Sequence, residues 1–161
     1  YYFLMSEFDS SFDTLTELYN RAAYKKILRR ITGRKAFSII NLDINDFKAI
    51  NDTYGHDYGD SVLKTLASIL RRELDDRYIC FRVGGDEFCV LSRVTDTEKI
   101  ESQLEKLTKA LSEEKDKRMP TVAYGYRIFK GDEPMDFKKI LKEADDRMYD
   151  HKKKYKADRA K

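Results

Sequence analysis

The sequence has 161 residues, of which 41% are apolar and 38% are charged, and its net charge is +3. This length predicts one globular domain, and periodic apolar blocks exclude a disordered chain. So small an excess of positive charge does not by itself indicate nucleic acid or an anionic membrane as a partner. Because no apolar run approaches the ~18 residues needed to span a bilayer and the start lacks a secretory signal, we expect a soluble domain.

The first half of the chain predicts a helix, a strand and a second helix. Residues 14–31 carry apolar residues near helical spacing, with a threonine as cap and a glycine as stop. Residues 36–44, AFSIINLDI, alternate too weakly for a surface strand and predict a central strand buried on both faces. The polar stretch that follows allows a short helix at 47–51, and residues 60–74 predict an amphipathic helix.

The second half predicts a hairpin, a helix, a strand and a last helix. Two short β-type runs flank Gly84-Gly85, a pair that suits a tight turn. The apolar spacing then predicts a helix at 96–117, a strand at 121–129 and a last helix at 136–154. This order predicts an α/β fold in which a mixed central β-sheet is flanked by helices.

Cys80 and Cys89 lie symmetrically about the two glycines, so a two-residue hairpin loop would place them opposite each other. A disulfide is the alternative to free thiols at these positions. Two cysteines in a chain without a secretory signal favour reduced thiols in the core, and we predict these.

Acidic residues follow the predicted central strand and the glycine turn. Asp43 lies at the C-terminal end of the strand, where open α/β sheets bind ligands, and Asp86 and Glu87 lie at the turn. If the hairpin lies beside the strand, these carboxylates converge on one edge of the sheet. Mg²⁺ prefers one or two carboxylates together with substrate phosphates, so the pattern indicates phosphoryl transfer, and solvated turn acids are the alternative.

Residues 42–60, LDINDFKAINDTYGHDYGD, and 82–88, RVGGDEF, resemble the GGDEF family of diguanylate cyclases. The flanks DTLTELYNR at 13–21 and EADDRMYDHKK at 143–153 extend the resemblance over nearly the whole chain. It implies a fold like that of nucleotidyl-cyclase and polymerase palm domains. It also implies an enzyme that condenses two GTP into cyclic di-GMP, with release of pyrophosphate, as a homodimer.

The resemblance also implies roles for the acids. Asp43, Asp86 and the Ile44 carbonyl match the family's metal ligands, with Mg²⁺ as the cofactor and Mn²⁺ as the alternative ion. Asp86 also matches the proton acceptor, and Glu87 matches an acid of the catalytic motif. Such metals bridge the triphosphate and lower the pKa of the attacking 3′-hydroxyl.

Other positions match the family's nucleotide-binding residues. Backbone N–H groups around Asp46 and Phe47 match a phosphate cradle, and Lys48 matches the cation for the terminal phosphates. Asn51 and Asp60 match the guanine readers, because guanine presents N–H donors where adenine presents an acceptor.

Four more positions belong to these motifs. His56 matches a residue near the substrate, and we interpret it mainly as fixing its loop. Arg82 is interpreted as one half of a structural ion pair. Lys152 and Lys156 match phosphate-binding positions of the last helix.

Three features depart from the family pattern. Asn45 replaces the second acid of an Asp-x-Asp motif. Lys156 stands where the family has Arg. A lysine cannot form the two parallel hydrogen bonds that an arginine makes to one phosphate, so we predict weaker binding of the triphosphate. The Arg-x-x-Asp motif of product inhibition would fall at Asp75 and Tyr78, so we predict no allosteric product site there. An Arg-x-x-Asp at 72–75 lies three residues early.

We therefore predict a cytoplasmic GGDEF catalytic domain over residues 13–161, with residues 1–12 as the end of an upstream connector or linker. Segments outside this sequence would decide whether it is tethered to a membrane. GTP and cyclic di-GMP are the expected small-molecule partners, with no nucleic acid and no direct membrane contact. The alternatives are a regulatory module that binds GTP or cyclic di-GMP without turnover, and a nucleic-acid-binding domain based on the basic stretch at 151–161.

Overall fold

The computed structural model of the protein describes residues 11–31, 33 and 35–161, so most of the predicted connector lies outside the described residues. The described residues form four strands and five helices in the predicted order, and one of these helices is the short one that the sequence allowed after the first strand. In chain order these are α1 (Arg21–Leu28), β1 (Phe37–Ile44), α2 (Phe47–Tyr54), α3 (His56–Glu73), β2 (Tyr78–Arg82), β3 (Glu87–Ser92), α4 (Thr97–Ser112), β4 (Val122–Phe129) and α5 (Phe137–Arg159).

The strands form one sheet in the order β2-β3-β1-β4, with helices against it as predicted. Each pairing of neighbouring strands is antiparallel, which corrects the expectation of a mixed sheet. The strands β1 and β2 run in the same direction, but β3 is inserted between them. Within the described residues, parallel pairing is limited to an isolated bridge between Tyr19 and Phe81.

Strand β1 is buried on both faces, as its weak alternation predicts. Ile40, Leu42 and Ile44 pack into the core formed with α3 and α4. Phe37 and Ile39 pack into a second core with residues of α1 and α5. Because side chains alternate along a strand, Asp43 shares the face that α5 covers.

The first and last helices differ from their predicted bounds. The predicted helix at 14–31 begins only at Arg21, where the Asn20 side chain accepts a hydrogen bond from Ala23 N at 2.9 Å. Before it, Asp13 accepts hydrogen bonds from Thr16 N and Oγ1 at 2.9 and 2.7 Å. Such side-chain bonds compete with the helical backbone pattern and form a turn instead. At the other end, α5 continues past the predicted residue 154 to Arg159.

The cysteines do not lie opposite each other. Cys80 pairs with Val90 and Cys89 pairs with Phe81, because the hairpin loop is longer than two residues. This register places the two thiols against different cores, and both are free, as predicted. Burial raises the pKa of each thiol to about 12, so neither is a thiolate at neutral pH.

Helix α5 lies directly on β4 at Gly125. A Cβ atom there would lie 2.1 Å from Met148 N and 2.5 Å from Ala144 O. Because these are backbone atoms, Gly125→Ala is expected to displace α5 and to lower the free energy of unfolding by about 2–3 kcal/mol in urea titrations. Gly85→Ala is the control, since nothing lies within 4 Å of its added Cβ. Equal stability of the two variants would contradict this packing.

None of the helices in the described part of the chain has the length and apolar character to cross a membrane.

Candidate functional site

The end of β1 and the start of β3 bring Asp43 and Asp86 together at one edge of the sheet. Asp43 lies opposite Glu87 in the strand register, and Ile44 N donates to the Asp86 carbonyl at 3.3 Å. The hairpin therefore lies beside the central strand, which was the condition for the predicted convergence of acids.

The two carboxylates influence each other directly. The pKa of Asp86 is raised to about 6, first by burial and then by the neighbouring Asp43 carboxylate, while Lys152 acts in the opposite direction. Asp43 Oδ2 accepts a hydrogen bond from Lys152 Nζ at 2.7 Å. Asp43 Oδ1 is buried and has no hydrogen-bond partner in the described structure. The pair therefore offers unsatisfied carboxylate oxygen to a cation.

This donor set fits a magnesium ion. The described residues contain no group of three or more His, Cys, Asp or Glu side chains placed to hold a metal. Mg²⁺ does not require one, because it is commonly held by one or two carboxylates and completes its shell with water and phosphate oxygens. Asp43 and Asp86, with the unpaired Oδ1 of Asp43, meet that requirement.

Glu87 lies beside these acids but is exposed. It lines a groove of about 400 Å³ that also contains Asn41, Asp145 and Tyr149. Asn41 Nδ2 donates to Asp145 Oδ1 at 2.8 Å across this groove. Glu87, the third predicted acid, therefore faces solvent and not Asp43 and Asp86.

The loop between β1 and α2 forms an open helix N-terminus. Asp46 adopts left-handed φ and ψ values of 56° and 32°, and its side chain makes no capping hydrogen bond to α2. The N–H groups of the first turn, which begins at Phe47, therefore lack a side-chain cap. Lys48 is exposed in the same turn. Helix N-termini attract anions, so this geometry suits a phosphate.

The two predicted base readers lie on adjacent helices. Asn51, on α2, has a buried Oδ1 with no hydrogen-bond partner in the described structure. A Cβ at Gly59 would lie 1.8 Å from that oxygen, so the glycine leaves room for the amide of Asn51. Asp60 follows Gly59 on α3 and is exposed, as is His56 at the start of that helix. An unpaired buried acceptor beside an exposed carboxylate suits a ligand with several N–H donors.

The end of α5 supplies cations to the same edge of the sheet. Lys152 binds Asp43 rather than standing free for phosphate, and Lys156 is exposed one turn later. Arg159 forms an ion pair with Asp46. Sequence reasoning missed Arg159, although it lies on the same helical face as Lys152 and Lys156, and that spacing was the available signal.

The Asn45 departure has a structural explanation. Asn45 is buried, its Nδ2 donates to Thr121 Oγ1 at 2.9 Å, and its backbone N donates to the carbonyl of the same residue at 3.0 Å. The side chain thus joins β1 to the start of β4. Its Oδ1 is buried and has no hydrogen-bond partner in the described structure.

The two positions at which the product-inhibition motif would fall, Asp75 and Tyr78, have other contacts in this structure. Asp75 binds Arg77 at 2.7 Å, and Tyr78 is largely buried at the start of β2. Arg72, the start of the displaced motif, binds Glu73 at 3.1 Å.

Arg82 forms the ion pair that the sequence analysis expected. Its Nη1 lies 3.1 Å from Asp13 Oδ2, and its Nη2 donates to the Gly85 carbonyl at 2.9 Å, so it joins the first turn to the glycine turn. Burial acts to raise the pKa of Asp13, but hydrogen bonds from Thr16 and Arg82 hold it below the usual value.

We expect Asp13→Asn to lower the free energy of unfolding by about 1–2 kcal/mol, because it weakens largely buried, charge-assisted hydrogen bonds. Asp75→Asn is the matched control. Its pair with Arg77 is about half exposed and screened by solvent, so its loss should cost clearly less than the loss of the Asp13 carboxylate. Urea titration of both variants checks this, and an equal cost would show that the Asp13 pair is not structural.

Comparison with known proteins gives one consistent family. The family model described as "Diguanylate cyclase, GGDEF domain" matches residues 10–158. A Vibrio cholerae protein named diguanylate cyclase is 40% identical over 94 residues, which are 53% of this chain and 28% of that protein. A Staphylococcus aureus protein, named as an uncharacterized membrane protein, is 30% identical over 155 residues, which are 89% of this chain and 43% of that protein. The chain thus spans less than half the length of either relative.

A solved structure agrees with the fold. It contains the coiled coil and GGDEF domain of DgcB from Caulobacter crescentus in complex with c-di-GMP. It superposes with a TM-score of 0.83 at 27% identity, covering 94% of this chain and 85% of that one.

Proposed function

The chain belongs to the GGDEF family of diguanylate cyclase domains, and we propose that it condenses two GTP molecules into cyclic di-GMP with release of two pyrophosphates. The observation that best supports this proposal is the meeting of Asp43 and Asp86 at one sheet edge, with an unpaired carboxylate oxygen between the strands. That arrangement suits nucleotidyl transfer, in which negative charge develops on phosphate oxygens.

Asp43 and Asp86, with the Ile44 carbonyl, would hold Mg²⁺ or Mn²⁺. When bound, the metal neutralises phosphate charge and lowers the pKa of a nearby hydroxyl. Asp86 would also accept the proton of the attacking 3′-hydroxyl, because its carboxylate lies beside Asp43 at the edge of the sheet where the nucleotide would react. Glu87, exposed beside them, adds negative charge at the mouth of the site.

In each half of the reaction the 3′-oxygen of one nucleotide forms a bond to the α-phosphorus of the other. The bond from that phosphorus to the bridging oxygen breaks, and pyrophosphate leaves with the electron pair. Repetition of this step in the opposite direction closes the ring.

The triphosphate would bind at the N-terminus of α2. The uncapped N–H groups after Asp46 and the exposed Lys48 supply donors and positive charge there. Lys152 and Lys156 approach from α5, and Lys152 would exchange its Asp43 contact for phosphate when a metal neutralises the acids.

The base would lie between α2 and α3. The unpaired Asn51 Oδ1 accepts a guanine N–H, and the Asp60 carboxylate accepts from guanine N1–H and N2–H₂. Adenine offers an acceptor at N1, which would face the carboxylate unfavourably. His56, exposed at the start of α3, would mainly fix the loop before this helix.

One such site holds one GTP, so the second nucleotide must be presented by a facing copy of the domain. We therefore propose a catalytic homodimer that uses the cytoplasmic GTP pool. Nothing in this scheme requires nucleic acid or direct contact with a membrane.

The test is incubation of the domain with GTP and Mg²⁺, followed by chromatography of the nucleotides. Cyclic di-GMP as product supports the proposal. Saturable GTP binding without product would identify a regulatory module, and salt-sensitive binding to random DNA would identify a nucleic-acid-binding domain.

A further inference from the structure

Three cations of α5 lie on one helical face that is directed at the nucleotide-binding edge of the sheet. Lys152, Lys156 and Arg159 follow each other about one helical turn apart. The first contacts Asp43 at the end of β1, and the last contacts Asp46 at the start of α2. This cationic stripe therefore extends from the carboxylate pair to the helix N-terminus proposed to hold phosphate.

Asp46 is an obstacle to an anion at that helix N-terminus. Its carboxylate does not cap α2, because the residue has left-handed backbone angles and makes no capping hydrogen bond. An unpaired carboxylate at this position would repel phosphates that approach the first-turn N–H groups. Its negative charge must be cancelled for the triphosphate to bind tightly.

Arg159 is the residue placed to cancel it. Its Nη1 donates to Asp46 Oδ2 across 113 positions of sequence, and the Tyr155 hydroxyl lies 3.5 Å from the same nitrogen. The Arg159 side chain is 62% exposed and that of Asp46 35% exposed, so the pair lies at the surface beside the N-terminus of α2. An ion pair this exposed contributes little to the stability of the fold.

We propose that Arg159 is a positioning residue for the nucleotide triphosphate, which acts by neutralising Asp46 at the N-terminus of α2. This inference rests on the proposed function, because it assumes that the site binds GTP. It assigns a role to a residue beyond the motif positions Lys152 and Lys156. It also predicts that the effect of Arg159 depends on Asp46 and increases with the number of phosphates.

The experiment is calorimetric titration with GMP, GDP and α,β-methylene-GTP, which cannot be condensed, in the presence of Mg²⁺. Four variants are compared with the unmodified domain: Arg159→Gln, Asp46→Asn, the double variant, and Lys153→Gln as control. Lys153 carries the same charge on the same helix but lies over the Tyr149 ring, 4.7 Å from its centroid. Thermal unfolding of each variant shows that the fold is retained.

Arg159→Gln is expected to weaken binding of the triphosphate about tenfold, GDP less, and GMP by less than about twofold. In the Asp46→Asn background the same substitution should cost less than about twofold, and Lys153→Gln should change none of the affinities by more than that.

Three results would overturn the inference: an unchanged triphosphate affinity in Arg159→Gln, an equal loss for GMP, or an equal loss in the Asp46→Asn background. A domain that binds the triphosphate no better than GMP would overturn it as well. These titrations do not measure turnover, so a domain that shows the expected pattern but makes no cyclic di-GMP would contradict the proposed activity and leave the role of Arg159 supported.

Discussion

Replacement of Asp86 by asparagine is expected to reduce cyclic di-GMP formation by a factor on the order of 10³ or more, because it removes both a metal ligand and the proton acceptor. The measurement is the initial rate of product formation from GTP with saturating Mg²⁺. The control is Asp132→Asn, an exposed acid in the loop between β4 and α5, which should retain the original rate.

The same variant should be more stable than the original domain in the absence of metal. The pKa of Asp86 is raised first by burial and then by the Asp43 carboxylate, which repels Asp86 when both are ionised. Its asparagine variant should unfold about 2–4 °C higher at pH 7.5 with EDTA, while Asp132→Asn should not. Near-normal turnover by Asp86→Asn, or a lower unfolding temperature with EDTA, would contradict the proposed arrangement.

The second large effect concerns the choice of base. The unmodified domain should use GTP at least about 100-fold better than ATP, because adenine in the same orientation has no N–H donor at N1 or C2 for the Asp60 carboxylate and the Asn51 Oδ1. Asp60→Ser should reduce this preference to less than about tenfold, mainly through a lower rate with GTP. Pyrophosphate release from each nucleotide measures both rates.

Asp57→Ser is the matched control for Asp60→Ser. It changes another exposed acid on α3, in the first turn of the helix. This variant should keep the preference of the unmodified domain. Comparable rates with GTP and ATP before any substitution would exclude Asp60 as the base reader.

Local sequence patterns predicted much of the fold. The apolar run at 36–44 predicted a strand buried on both faces, and the double glycine predicted the hairpin of β2 and β3. The prediction that Asp86 lies near Asp43 depended on one further assumption, that the hairpin lies beside β1. The β1–β3 register shows that it does.

The errors arose where side chains compete with the backbone or where contacts join distant parts of the chain. The first helix begins late because the Asp13 carboxylate holds the preceding turn, and apolar spacing does not detect this bond. The mixed sheet was wrong because spacing along the chain does not show that β3 separates β1 from β2.

In the candidate site, too, contacts between distant parts of the chain could not be predicted from the sequence. Motif matching identified Lys152, but not that its ammonium binds Asp43 in the free domain. Arg159 lies beyond the last apolar position of α5 and contacts a residue 113 positions earlier. Only the course of the helix over the sheet brings this arginine to α2.

The most direct test of the central claim is the stoichiometry of the reaction. The unmodified domain is incubated with GTP and Mg²⁺, cyclic di-GMP is quantified by mass spectrometry, and pyrophosphate is measured in the same sample. Our proposal predicts one cyclic di-GMP and two pyrophosphates for every two GTP consumed, and formation of both products by Asp86→Asn that is slower by a factor on the order of 10³ or more. Saturable GTP binding by the unmodified domain without either product would contradict it.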